Sequence, residues 1–260
     1  MYKSLNLRIM KKYIKASLIA VSIFLIFIPE IKAQNKAAKT VDFPSKDGIV
    51  ISAHIYETDK DAPVVLLCHQ ARYNKYEYTD IAPKLNARGF NCVAIDQRSG
   101  GELRNHENIT HNNAVKQHKP TEYLDAEQDI LAAIDYVYKK YKKPVILWGS
   151  SYSSTLALYI ASENDKIAAV ISFSPGNYFA GKKGSLIDKL ENFSKPMFVT
   201  SSKKEAPGIT KLLQKMQLNS QQVQFIPSGE GYHGSKALWE GQKGGEEYWN
   251  AIDDFLLKIK

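Results

Sequence analysis

Six short apolar runs constrain this chain more than anything else in it: Val64–Cys68, Cys92–Ile95, Val145–Trp148, Ala168–Phe173, Met197–Val199 and Val223–Ile226. Each is nearly free of polar interruption, which is how a strand reads when both of its faces are covered. A strand with one wet face would alternate instead. Between the runs, apolar residues recur at helical spacing. Ile81 and Leu85 mark a first segment, and Ile130, Leu131, Ile134 and Val137 form one face of a helix expected from Thr121 to about Tyr141. Further helices are expected to begin near Ser153, Leu186 and Ile209, and Tyr248 to Ile259 closes the chain with a stripe at Ile252, Phe255, Leu256 and Ile259. Ahead of all these, Thr40–Pro44 and Ile49–Tyr56 flank Ser45-Lys-Asp-Gly48, a hairpin signature. A hairpin followed by strand-helix alternation predicts an α/β fold with a mostly parallel, doubly wound sheet of about eight strands. Reacting groups in such sheets sit on loops beyond the carboxyl ends of the strands.

The first 33 residues read as a signal peptide. Lys3, Arg8, Lys11, Lys12 and Lys15 form a basic leader, Ala16 to Ile28 is uncharged, and Pro29-Glu-Ile-Lys-Ala33 places a small residue before Gln34. Those 13 uncharged residues fall short of the roughly 20 that a membrane span needs. An uncleaved N-terminal anchor is the alternative, and the lack of cysteine at the junction argues against a lipid anchor. The expected location is therefore exported, periplasmic or secreted, with no membrane contact beyond the leader. The leader carries a net charge of +5, so the formal +8 of the whole chain falls to +3 without it. The basic balance is mostly targeting, and the scattered lysines that remain call for no nucleic-acid partner. Residues 34–260 suffice for one domain with a substantial core. Cys68 and Cys92 both lie in apolar runs, staggered along neighbouring strands, and read as buried small hydrophobes without a disulfide.

The residues just after each run test the fold reading. The first run ends in Cys68-His-Gln-Ala-Arg72, the second leads to Asp96-Gln-Arg-Ser-Gly-Gly101, and the third enters Gly149-Ser150-Ser151-Tyr152-Ser153 before a helix. Later runs lead to Thr200-Ser-Ser-Lys-Lys-Glu205 and to Gly229-Glu-Gly-Tyr-His-Gly234. Strand, tight small-residue turn and helix around Ser151 have the layout of a nucleophile elbow, with the pattern G-x-S-x-S. A serine, then an acid, then a histidine, each after its own strand, is what an exposed seryl nucleophile requires: an imidazole takes the hydroxyl proton, and an acid fixes the imidazole's tautomer.

On these motifs the chain resembles an α/β-hydrolase, near the small bacterial esterases and dienelactone-hydrolase-like members, from about Thr40 to the C-terminus. The resemblance implies an α/β-hydrolase fold with a minimal cap, and an oxyanion hole made by the backbone N–H groups of Gln70 and Tyr152. Tyr152 also opens a helix, where free amides and the helix dipole favour negative charge. Ser151 would be the nucleophile and His233 the base. Two residues depart from the family pattern: Ser153 stands in place of the usual second glycine, and Glu205 is the nearest carboxylate where aspartate is usual. Asp188 and Glu191 are the fallback acids. Tyr73 and Tyr76, with Tyr78 beside them, follow the oxyanion turn and are candidate substrate contacts or cover for a helix start. His69 reads as a brace for the oxyanion loop and Arg98 as a brace for the loop after its strand. His106, His111 and His118 match no compact metal-ligand spacing.

The expected function is an exported serine hydrolase, carboxylesterase-like, that cleaves an ester or related acyl bond of a small-molecule substrate without metal or organic cofactor. A non-catalytic binding protein on the same scaffold and a small serine peptidase are the alternatives. The short segments Ser99–Pro120 and Ser174–Lys195 predict an open site without a large lid.

Overall fold

A computed structural model describes residues 38–260; the expected signal peptide at 1–33 lies outside the described residues. Strands β1 (Lys39–Pro44) and β2 (Val50–Tyr56) form the antiparallel hairpin. They are followed by β3 (Val64–Cys68), α1 (Ile81–Ala87), β4 (Asn91–Ile95), α2 (Ile109–Lys116), α3 (Glu127–Tyr141), β5 (Val145–Ser150), α4 (Tyr152–Ala161) and β6 (Ile167–Phe173). The chain continues through α5 (Ala180–Lys183), α6 (Leu186–Leu190), β7 (Met197–Thr200), α7 (Ala206–Leu212), β8 (Gln222–Phe225) and α8 (Gly245–Ile259). The sheet has eight strands in the order β1-β2-β4-β3-β5-β6-β7-β8, and every pairing from β4 to β8 is parallel.

The unbroken apolar runs are explained by two cores. Along β3, Val64, Leu66 and Cys68 face one side, with Ile130 and Ile134 of α3, Leu156 of α4 and Ile209 of α7. Val65 and Leu67 face the other, with Leu85 of α1 and Ile252 and Phe255 of α8. Alternating side chains on a two-sided strand must then all be apolar. Cys68 and Cys92 are buried and free, and Cys92 pairs in register with Val65 rather than with Cys68.

Several helices depart from expectation: α5 is added, α7 and α8 each begin three residues early, and two others differ more. The long helix begins at Glu127, not Thr121, and its first turn carries Glu127 and Asp129 while Lys139 and Lys140 occupy the last, the charge order that suits the helix dipole. Within the short segment Ser99–Pro120, where no helix is expected, Ile109–Lys116 forms helix α2, capped by the Asn108 side chain, which accepts the His111 N–H at 2.8 Å. After β3 the chain moves to β4 on one side of it and then returns to β5 on the other. That change of direction opens a crevice at the carboxyl ends of β3 and β5, the topological switch point where doubly wound sheets bind ligands.

Candidate active site

Gly149, near the end of β5, sits against the backbone of α4. A Cβ there would lie 2.4 Å from Ser154 Cα and 2.5 Å from the Ser153 carbonyl oxygen, so strand and helix can meet this closely only at glycine. Ser151 then takes φ 59° and ψ −123°, a conformation L-residues rarely hold. Its N–H is anchored on the Phe173 carbonyl at 2.8 Å. Ser153 has a use for its hydroxyl that glycine could not supply. Its Oγ accepts the Ser150 N–H at 2.9 Å and donates to the Cys68 carbonyl at 2.8 Å, tying the turn to the end of β3.

Residues from three strand ends meet at Ser151. Its Oγ lies 2.7 Å from His233 Nε2, and His233 Nδ1 lies 2.5 Å from Glu205 Oε1. The carboxylate is held in turn by Ser202 N–H and Oγ at 3.2 and 2.8 Å and by Ser174 Oγ at 2.9 Å. Ser174 also accepts the Gly234 N–H at 3.0 Å, which fixes the histidine loop. Burial opposes ionisation of Glu205, but the bonds from His233 and Ser202 outweigh it and bring the carboxyl down to about 2. The same bond to Glu205 raises the His233 imidazole above its ordinary value, against the effect of burial. With Glu205 ionised, Nδ1 carries the proton of the neutral imidazole and Nε2 faces the serine hydroxyl as an acceptor.

The fallback acids are engaged elsewhere: Asp188 and Glu191 both face Lys215, at 2.6 and 3.9 Å. His69 is fully buried and pushed down to about 4 by that burial. Because the Gln97 N–H points at its Nε2 at 2.9 Å, the proton sits on Nδ1, 2.8 Å from the Gln70 carbonyl. It braces the loop after β3. His106 stacks on Tyr76, and His111 Nδ1 meets the Arg98 carbonyl at 2.6 Å.

One expectation needs correction. The Gln70 N–H is not free for an oxyanion, since it donates to Glu77 Oε2 at 2.7 Å. One residue on, the Ala71 N–H has no acceptor among the described residues, and neither has the Tyr152 N–H. Tyr76 is packed against His54 and His106, and Tyr73 stacks on Trp239. A 480 Å³ cavity lies beside Glu205, with Tyr178, Ile187, Ile209 and Leu212 and with Lys204 and Lys211 in its wall. Tyr178, which sequence reasoning missed, lies beside Ser151 with its hydroxyl toward the Ser174 carbonyl. No local signal marks it, because its loop follows β6 and reaches Ser151 only through the sheet order.

The model of the α/β-hydrolase fold family matches residues 63–252. Among solved structures, the chain is similar to the Pyrococcus furiosus esterase Pf2001, with a TM-score of 0.67 and 16% identity over 85% of this chain and 92% of that one. It is also similar to a dienelactone hydrolase from Anabaena variabilis ATCC 29413, with a TM-score of 0.64 and 14% identity over 86% of this chain and 99% of that one. Likenesses at these identities are likenesses of fold. A curated relative, the quorum-quenching protein AidA of Acinetobacter baumannii (strain MDR-ZJ06), is 27% identical over 149 residues, which span 54% of this chain and 44% of that protein. Because the family match runs from the start of β3 into α8, and so takes in every strand end that contributes a site residue, this chain belongs to the α/β-hydrolase fold family.

Proposed function

We propose that the protein is an exported serine hydrolase that cleaves a carboxylic ester or related acyl bond through an acyl-enzyme. The observation that carries this reading is the continuous path from Ser151 Oγ to His233 Nε2 at 2.7 Å and from His233 Nδ1 to Glu205 at 2.5 Å. Ser151 Oγ attacks the acyl carbon as its proton passes to His233 Nε2. The oxyanion that forms is held by the N–H groups of Ala71 and Tyr152, the latter at the N-terminus of α4. His233 then gives its proton to the departing alcohol. Water, deprotonated by the same Nε2, attacks the acyl-enzyme; the acid leaves and the proton returns to Ser151 Oγ. Throughout, Glu205 stays ionised and steadies the imidazolium. The cavity beside Tyr178, walled by Ile187, Ile209 and Leu212, offers an apolar part of the substrate a place to lie. The leader at 1–33 would direct export, and mature protein beginning at Gln34 in the periplasm or medium would bear that out.

A fluorophosphonate probe tests the reading directly. Stoichiometric modification at Ser151, together with hydrolysis of p-nitrophenyl esters of short to medium chain, is the expected result. Folded protein that is neither labelled nor active on the ester panel would make this a binding protein on a hydrolase scaffold. Activity on peptide amides but not on esters would make it a peptidase.

The histidine also sets the pH dependence. His233 must be neutral to act as base, so kcat/KM rises with pH through a midpoint above the ordinary imidazole value of 6.5, because Glu205 raises it. Glu205→Gln removes the charge that stabilises the imidazolium, so the midpoint moves to lower pH while the plateau falls. A pH profile of kcat/KM for both proteins checks this, and an unmoved midpoint would separate Glu205 from His233 in function.

A further inference from the structure

Glu77 is an acid buried without a cation. It lies fully buried in the 3-10 turn Lys75–Tyr78, and no salt bridge to it is present among the described residues. A buried carboxyl is costly unless its acceptor positions are used, and here both oxygens are. Oε2 accepts the Gln70 N–H at 2.7 Å, in the loop after β3. Oε1 accepts the Ser150 hydroxyl at 2.7 Å, on the last residue of β5. Ser150 Oγ in turn accepts the Ser235 N–H at 2.9 Å, two residues beyond His233. The spacing here is tight: a Cβ on Gly234 would lie 2.6 Å from Ser150 Oγ, so only glycine lets the histidine loop approach that hydroxyl. The carbonyl of Glu77 also accepts the Trp239 indole N–H at 2.8 Å.

One side chain therefore joins the loop that carries Ala71, the strand end that carries Ser151 and the loop that carries His233, without a hydrogen bond to any of those three. We propose that Glu77 is a positioning residue for the reaction: by holding the Gln70 amide and the Ser150 hydroxyl it sets the Ala71 N–H and the His233 imidazole in register with Ser151. The inference rests on the serine-hydrolase reading above. It explains why the Gln70 amide is spent away from the substrate, since an anchored Gln70 presents the next N–H outward.

The protonation of Glu77 bears on the same role. Burial pushes its carboxyl up to about 7, against the bonds from Gln70 and Ser150 and the nearby His233 and Arg104, all of which favour the ionised form. Only the ionised form accepts on both oxygens without turning one of them into a donor. The other titratable groups facing it, Tyr73, Tyr78, Tyr152 and Cys68, are all held further toward their neutral forms.

Glu77→Gln in the full chain is the test, with p-nitrophenyl acetate as substrate and a fluorophosphonate as probe. Glutamine keeps the volume but presents an amide NH₂ toward either Gln70 N–H or the Ser150 hydroxyl. The expected result is a kcat lower by on the order of 10–100-fold, the scale of a small misplacement of reacting groups, with KM nearly unchanged, Ser151 labelling slowed in parallel and the folded fraction at assay temperature intact. Wild-type rates in Glu77→Gln would overturn the inference. So would a loss of kcat that only tracks loss of folded protein. Should Glu77→Gln fail to fold, Ser150→Ala decides, because it cuts the link to Ser235 and leaves the bond to Gln70: lowered kcat in folded protein supports the inference, and wild-type kcat overturns it. An unlabelled, inactive wild type would overturn the hydrolase reading and this inference with it, whereas a labelled wild type beside an unaffected Glu77→Gln overturns this inference alone.

Discussion

Ser151→Ala should lower kcat on an ester substrate by about 10⁴–10⁶-fold and abolish fluorophosphonate labelling, with the thermal midpoint nearly unchanged. The size follows from what is removed. No other nucleophilic oxygen in the site lies within 2.7 Å of His233 Nε2, and without Ser151 Oγ the imidazole has no hydroxyl to activate. The fold should survive because the turn is set by the backbone: the Ser151 N–H stays on the Phe173 carbonyl, and Ser153 still links Ser150 to Cys68. Alanine at φ 59° bears the same Cβ strain that serine already bears. His233→Ala should cost about as much, and the double variant little more, because groups that act as one unit are not additive. Residual hydrolysis above the uncatalysed rate would come from the oxyanion donors. A Ser151→Ala protein that retains more than about a tenth of wild-type kcat would place the nucleophile elsewhere.

The second large effect concerns stability. Arg98→Met should destabilise the protein by about 3–5 kcal/mol, the range for removing one partner of a buried ion pair. Arg98 is fully buried after β4, and its guanidinium reaches Asp129 of α3 at 2.7 Å and Asp47 of the β1–β2 turn at 2.7 Å. Its own N–H also donates to Asp129 at 2.8 Å. Asp129 is fully buried, and that burial holds its carboxyl above the ordinary range despite Arg98. Methionine fills much of the space but leaves this carboxylate without a counter-charge. Arg98→Met with Asp129→Asn should recover much of the loss, because no buried charge is then left unpaired and the amide oxygen can still accept the backbone N–H at position 98. Urea unfolding of the single and double variants measures this, and a single-variant loss under about 1 kcal/mol would show that the pair is not what holds the loop. The loop also reaches the candidate site, since Gln97 beside Arg98 donates to the Tyr152 hydroxyl at 2.6 Å and its N–H sets the tautomer of His69.

How far the chain could be read depends on the range of each interaction. The strands were legible because burial on both faces of a sheet demands continuous apolar runs, and β3, β5 and β6 fall within a residue or two of their expected limits. Helix α2 was not, because its residues Ile-Thr-His-Asn-Asn-Ala-Val-Lys carry no apolar stripe and only Thr110 and Ala114 are buried. Ser151, His233 and Glu205 could be named because each follows a strand end, and the structure brings the three together. The choice between Gln70 and Ala71 could not be made, since it depends on which amide a glutamate seven residues on has captured. The packing of Tyr76 was illegible for a similar reason: its ring stacks on His106, 30 positions away, and no periodicity records such a partner.

By itself, the sequence determined the α/β layout and the strand ends on which the candidates Ser151, His233 and Glu205 stand, with Asp188 and Glu191 left open as acids, because these depend on local backbone preference and on which faces are buried. Only the tertiary structure decided how they are held. The Glu77–Ser150 bond joins residues 73 apart in the chain, Ser150–Ser235 joins residues 85 apart, and Ser174–Glu205 joins residues 31 apart. Hydrogen bonds act over about 3 Å and need a direction, and such geometry exists only once the sheet has set its strands side by side.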